Sequence, residues 1–406
     1  MSNPAALVTW LERTNPEVRA ALARVRQADA QVGTSRLWQN PTLDLGLNGI
    51  PVGRRNASIP SNADTKSVTV GVSQTVELGK RGPRVEAAKL HRDSAAESYR
   101  DSLLTLLSSS RAAMTRVVYL GTRQHILEEG LESARSVADL AKIRLDKGDV
   151  SGVDHSRLVL EAAHVERDVE DNRSDLEDAL GDCQTILLAP CAADAATLEA
   201  AEHSASADFD HGDVARALEN RPDLRALGLE QRAAQAEATM HRRSAIPDPT
   251  VGVNYTRDFY EVAGNQPHTL GVSLSIPLPF FDHGQYQALE AEHRSEELSA
   301  TLRASSIRAQ FDARSLLIRR RVLAQKLDNI SHFALPRSKD VVASSTAAYE
   351  RGQISMTDLL LARREHASLL LEEADTRFAL FSVENDLRHT LGMDLETLGR
   401  QAPEDS

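Results

Sequence analysis

Thirteen histidines, two cysteines and fifty-nine acidic residues are the side chains with which this 406-residue chain could bind a metal or move protons. Their spacing assembles no such site. His155 and His164, His203 and His211, and His283 and His293 do not fall on successive turns of one helical face, and there is no HExxH or Cys-His cluster. Cys183 and Cys191 lack the second pair a zinc site would need. In an oxidising compartment they could form a local disulfide; the alternative is two buried thiols. No P-loop, dinucleotide glycine pattern or recognisable Ser/His/Asp turn occurs, so neither catalysis nor a cofactor is expected. Glu128-Glu129 and Glu372-Glu373 read as solvated helix faces.

One short pattern does recur. KGDVSGVDHS, from Lys147, and RGQISMTDLL, from Arg351, share a basic residue, Gly, Ser and Asp at the same spacing, 204 positions apart. Both interrupt a long helical pattern. Gly148 and Gly352 suit the left-handed position that ends a helix, and Asp154 and Asp358 suit capping of the helix that returns. With Lys147, Ser151, Arg351 and Ser355 they form two candidate contact turns.

The turns belong to a longer repeat. Asn15-Pro16-Glu17-Val18-Arg19-Ala20 matches Arg221-Pro222-Asp223-Leu224-Arg225-Ala226, Asn40-Pro41-Thr42-Leu43 matches Asp248-Pro249-Thr250-Val251, and Gly71-Val72-Ser73 matches Gly271-Val272-Ser273. The chain therefore divides into repeats of 15–205 and 206–398, with 399–406 as a disordered tail. Each repeat reads as a helix (about 16–38 and 222–246), two strands, a very long helix, the Gly turn and a returning helix. The first long helix, from Pro83 to Asp146, would span about 95 Å at 1.5 Å per residue. Val117, Leu120, Leu127, Leu131, Ala134, Ala138 and Ala141 give it a heptad seam, continued by Leu158, Ala162, Val165 and Val169 in the returning helix. The composition agrees, with 4% aromatic and 26% charged residues. A net charge of −12 argues against nucleic acid.

Helices alone would describe a soluble coiled-coil scaffold. Four segments with period-two alternation, about 41–52, 67–78, 249–259 and 268–279, change that reading. Leu43, Leu45, Val68, Val70, Val72, Val251, Val253, Leu270, Val272 and Leu274 fall on one face, with Gly, Ser, Thr, Asp and Asn on the other. That is the signature of a transmembrane barrel with lipid outside and water inside. Trp38, Phe259, Tyr260, Phe280 and Phe281 lie at the segment margins, as interfacial girdles do. Four strands cannot close a barrel, and a membrane sheet must have no free edge. A trimer would supply twelve strands around a lumen, with the coiled coils as a helical tube. No window is a transmembrane helix. The first residues, MSNPAALVTWLERTNPEV, carry no signal-peptide pattern, so the chain is either trimmed or not exported.

From Asn15 to Leu398 this plan resembles the TolC-like outer-membrane efflux family, whose hairpin tips carry Gly followed six residues later by Asp, as in Gly148/Asp154 and Gly352/Asp358. VSQTVELGKRG (Val72 to Gly82) and IPLPFFDHGQ (Ile276 to Gln285) are similar to the cobalt–zinc–cadmium subgroup. Its usual segments read ELGGKRG and PLPxFDRNQG; here one Gly is absent and His283-Gly284 replaces Arg-Asn. The resemblance implies a mainly α homotrimer with a twelve-stranded barrel and a periplasmic α-barrel. It also implies passive export of divalent metal, or of drugs or protein, with an adaptor protein and an inner-membrane RND-type pump as partners.

Overall fold

The computed structural model describes residues 4–50, 52–53, 66–191, 218–259 and 266–393. In chain order its elements are α1 (Pro4–Thr14), α2 (Pro16–Arg36), β1 (Thr42–Asn48), β2 (Ser67–Thr75), α3 (Arg81–Asp146) and α4 (Gly152–Leu187). The second repeat gives α5 (Pro222–Arg242), β3 (Thr250–Asp258), β4 (His268–Ser275), α6 (Gln285–Asn329), α7 (Leu335–Glu350) and α8 (Met356–Leu391). Tyr260 and the tail 399–406 lie outside the described residues. No described helix is long and apolar enough to cross a membrane.

The chain forms two compact units, and neither coincides with a sequence repeat. The first comprises Met1–Leu22, Glu97–Arg225 and Ala304–Ser406; the second comprises Ala23–Ala96 and Ala226–Arg303. Each unit draws on both repeats because a single repeat leaves its apolar faces uncovered. In the first unit Leu7, Val8 and Leu11 of α1 pack with Leu103, Leu104, Leu107 and Val117 of α3 and with Ala179, Cys183 and Leu187 of α4. The sequence plan, which started at residue 16, did not include α1. Asn15 separates it from α2 and caps the latter, its Oδ1 accepting from Glu17 N–H at 2.8 Å. Further along, Leu127, Leu131 and Val169 form the seam between α3 and α4. The amide nitrogen of buried Asn172 donates there to Leu120 O at 3.1 Å and Gln124 Oε1 at 2.8 Å. Cys183 and Cys191 are disulfide-bonded at the end of α4. Between α6 and α7 five residues, Ile330–Ala334, widen into a π turn. Pro336 follows at once; it has no N–H to offer His332 O, and the wider turn accommodates its ring.

The second unit holds the sheet. The order is β1-β2-β3-β4 and every pairing is antiparallel. The two hairpins are joined by β2 and β3, so one strand from each repeat forms the centre. The strands have 7, 9, 9 and 8 residues, shorter than the alternating segments 41–52, 67–78, 249–259 and 268–279. Gly49, at φ 72°, turns the chain after β1, and Pro277, which has no N–H to continue a ladder, lies just past β4. The accompanying helices approach through small side chains: Ala28, Ala87, Ala233, Ala234, Ala238, Ala288 and Ala291 are buried.

Candidate functional site

Register decides which side chains share a face of the sheet. Leu43, Val72, Val253 and Val272 form one cross-strand row, and Leu45, Val70, Tyr255 and Leu270 form the next. Val68, Val251 and Leu274 complete the same face. All ten aliphatic positions expected there are exposed, Val272 at 76% and Leu270 at 75%. An uncovered apolar surface of this kind marks a site of interaction with another apolar phase.

The opposite face carries Thr42, Asp44, Gly46, Thr69, Gly71, Ser73, Gly252, Asn254, Thr256, Asp258, Gly271 and Ser273. Its hydroxyls bond across strands: Thr69 Oγ1 to Thr256 Oγ1 at 3.0 Å, Thr75 to Thr250 at 2.9 Å, and Ser73 Oγ donates to Asp44 Oδ2 at 2.8 Å. Side chains added at these glycines would displace their polar neighbours. A Cβ on Gly252 would lie 2.6 Å from Ser273 Oγ, and one on Gly271 would lie 2.7 Å from Asn254 Oδ1. The face is thus small, polar and water-compatible. Among the described residues its carboxyl side chains are Asp44 and Asp258, and it carries no basic one.

Aromatic residues flank both ends. Trp38, Phe280 and Phe281 are exposed on the side where the strands meet the helices, and Phe259 follows β3 at the hairpin end. The Arg81 guanidinium lies 5.0 Å from the Trp38 ring centroid.

The two sequence segments that follow β2 and β4 build the junction between strand and helix. Asp248 accepts from Leu78 N–H at 2.8 Å and from Lys80 Nζ at 2.7 Å. Arg243 donates to Gly79 O at 2.6 Å, Arg81 donates to Arg36 O at 2.7 Å, and Arg84 pairs with Glu77. Gly79 and Gly284 both have positive φ. At Gly284 a side chain is also excluded by contact, since its Cβ would come within 2.4 Å of His241 O. The motif residues thus lock the strand ends to α2 and α5.

The repeated turns are geometric copies. Gly148 (φ 82°) donates to Leu145 O and Asp149 to Arg144 O; Gly352 (φ 72°) donates to Tyr349 O and Gln353 to Ala348 O. Each is a Schellman ending. Ser151 and Ser355 then cap α4 and α8, accepting from Asp154 N–H at 3.0 Å and Asp358 N–H at 3.1 Å. Each serine hydroxyl donates to its aspartate at 2.7 Å. In the second turn Ser355 N–H also donates to Asp358 Oδ2, completing a capping box; the Ser355 hydroxyl, and then this N–H, hold that carboxyl below its usual range. The capping side chains are the serines, with Asp154 and Asp358 at the third helical position, rather than the aspartates the spacing suggested, and the spacing did not show that the two turns meet. Val137, Ala138, Ala141 and Leu158 from the first hairpin share a core with Tyr349, Met356 and Leu359 from the second, and Arg144 lies over the Tyr349 ring at 4.6 Å.

A charged clamp escaped sequence reading altogether. His91 on α3 bonds Glu230 through Nδ1 and Glu237 through Nε2, each at 3.0 Å, with Arg294 of α6 at 3.9 and 3.8 Å from the same two carboxylates. The bond to Glu230, then that to Glu237, raises the His91 pKa to about 9 against the opposing effect of burial. At Glu230 burial is the largest effect and pushes the carboxyl up, but the His91 bond, the His91 and Arg294 charges and a Ser94 bond together outweigh it; at Glu237 the His91 bond leads, and both end below the ordinary carboxylate range. Glu230 and Glu237 are one heptad apart, which was the only available signal; His91 lies in a distant segment. Both imidazole nitrogens are engaged by carboxylates, an ion-pair arrangement. Among the described residues no group of three or more His, Cys, Asp or Glu is arranged to hold a metal ion.

A family model described as outer membrane efflux protein matches residues 8–189 and 214–393. The cobalt-zinc-cadmium resistance protein CzcC of Cupriavidus metallidurans is 25% identical over 358 residues, covering 86% of this chain and 80% of the relative. The nickel and cobalt resistance protein CnrC of the same organism is 24% identical over 310 residues, covering 74% and 69%. Among solved structures, the transmembrane channel CusC superposes with a TM-score of 0.79 at 17% identity, covering 96% of this chain and 91% of that one. The fold is that of TolC-like channels.

Proposed function

This chain belongs to the outer membrane efflux protein family, and we propose that it is the outer-membrane exit duct of a tripartite system that discharges divalent heavy-metal cations. The observation that carries the channel reading is the sheet: one exposed apolar face, one small polar face, and β1 and β4 each with an edge unpaired among the described residues. In a bilayer such edges must be closed. Three copies give twelve strands, enough for a barrel with a lumen, whereas two give eight and little space. The apolar faces meet lipid and the glycine, serine and threonine faces meet water.

Transport is passive, with no catalytic residue or cofactor. Energy comes from an inner-membrane pump through a periplasmic adaptor, and the helical coils form the periplasmic part of the conduit. Lys147 to Asp154 and Arg351 to Asp358 contact the adaptor's helical hairpin, a reading supported by two matched turns joined through one core. The metal cargo is supported by the names of the resistance relatives and by the acidic sign of Asp44 and Asp258 on the lumen face. A conduit needs weak contacts so that cargo leaves. The test is a deletion strain profiled against cobalt, zinc, cadmium, nickel and drug panels, with the purified chain sized in detergent. Hypersensitivity to divalent metals with a detergent-requiring trimer is expected. Unchanged metal tolerance would overturn the cargo, and a detergent-free monodisperse monomer would overturn the channel.

A further inference from the structure

We propose that Arg257 and His268 form a binding site for the phosphate of an anionic lipid headgroup, at the hairpin end of the sheet's apolar face. The inference rests on the lipid-facing reading of that face and adds a partner of defined chemistry.

Arg257 on β3 and His268 on β4 are register partners, and both are exposed. They complete the row begun by Leu47 and Val68, and the next rows toward the helices are Leu45–Val70–Tyr255–Leu270 and Leu43–Val72–Val253–Val272. A guanidinium at the centre of that surface would face hydrocarbon at high cost. In the terminal row, beside aromatic residues, it reaches headgroup depth instead. From His268 to Ser275, the last residue of β4, is seven strand steps, about 23 Å at 3.3–3.4 Å per residue. Tilted at about 40°, that is roughly 18 Å of height, within the apolar band of about 25 Å of an outer-membrane barrel.

The two groups are held for an anion. The Arg257 guanidinium lies over the Phe259 ring at 5.0 Å, and Asp258 projects to the opposite face by strand alternation. Among the described residues no carboxylate pairs with Arg257. Tyr255 Oη is hydrogen-bonded to His268 Nδ1 and the two rings stack at 5.9 Å, which fixes the imidazole and leaves Nε2 for a ligand oxygen. A fork of guanidinium donors with one imidazole nitrogen beside it suits the oxygens of a phosphate. The end of the face nearer the helices differs: its row ends in Gln74, Val251 and Leu274, without a cation. Charge complementarity therefore favours a phosphate-bearing lipid at the hairpin end.

The full chain is reconstituted into phosphatidylcholine vesicles with and without phosphatidic acid, and the lipid retained by the released channel is quantified by native mass spectrometry. Wild type is expected to retain phosphatidic acid over phosphatidylcholine by about fivefold for the guanidinium charge. Arg257→Ala should abolish the preference while vesicle insertion persists, Arg257→Lys should keep most of it, and His268→Ala should reduce it. Equal preference in wild type and the Arg257→Ala/His268→Ala pair would overturn the site. So would loss of the preference to competing inorganic phosphate, which would indicate a free-anion pocket. Failure of wild type to insert into vesicles would instead overturn the lipid-facing reading, and the headgroup site with it.

Discussion

Val272 is the position at which the membrane-facing assignment is most exposed to refutation. It sits mid-strand on β4, opposite Val253, in the row that runs back to Val72 and Leu43. In the isolated chain it is 76% exposed, so the phase that covers it determines what a charge there costs. Val272→Arg puts a cation near the middle of the apolar band. In a bilayer this costs about 2–4 kcal/mol per chain, and about 6–12 kcal/mol for the three copies of the proposed trimer. That is comparable with the entire stability of a domain. Ser273→Arg adds the same charge one residue on, to the polar face opposite Gly252, where water solvates it. The assay is recovery of heat-resistant trimers from outer-membrane fractions, together with metal tolerance of the complemented deletion strain. Val272→Arg should lose both and Ser273→Arg should keep both. Depth gives a second reading: sensitivity should peak at the Val72–Val253–Val272 row and fall toward Val68, because the penalty vanishes at the interface. Equal tolerance at Val272 and Ser273 would refute the reasoning. So would uniform sensitivity along the face, since a protein cover would make every row alike.

Gly148→Val and Gly352→Val should each cost about 1–2 kcal/mol through backbone strain alone, because a Cβ there meets nothing within 4 Å. Hydrogen exchange should rise at the turn and export should fall while trimers persist. For His91→Gln the sign follows from the shifts. A histidine raised from 6.5 to about 9 contributes fully below pH 6.5 and loses its contribution as pH rises through 9; the depressed Glu230 and Glu237 contribute above the carboxylate range and lose theirs as pH falls. The upper bound is about 3 kcal/mol; with the His91 side chain 27% exposed, screening leaves about 1–2 kcal/mol at pH 7. Urea unfolding at pH 7 and pH 10 should show that gap closing at the higher pH, and a pH-independent gap would mean packing alone. Reducing the Cys183–Cys191 bond should lower stability by about 2.5 kcal/mol for so short a loop, read as a lower urea midpoint in the presence of dithiothreitol; an unchanged midpoint would count against its contribution.

The parts of this protein legible in its sequence are those specified over a few residues. Period-two alternation marked the ten aliphatic positions that share one face, heptads marked the seam through Leu127, Leu131 and Val169, and the spacing of Gly148 to Asp154 marked a helix end followed by a cap. Each depends on side chains within one or two turns or pleats, so the linear pattern carries it. Strand ends were overestimated because alternation continues through Pro277, where the ladder has no donor. Tertiary structure decided the rest. It alone pairs β2 with β3, joins the two turns through Tyr349 and Val137, and brings His91 between Glu230 and Glu237. These contacts link segments from different hairpins or different repeats, and which of many equally apolar or charged surfaces meet is fixed only when the whole chain covers its remaining faces.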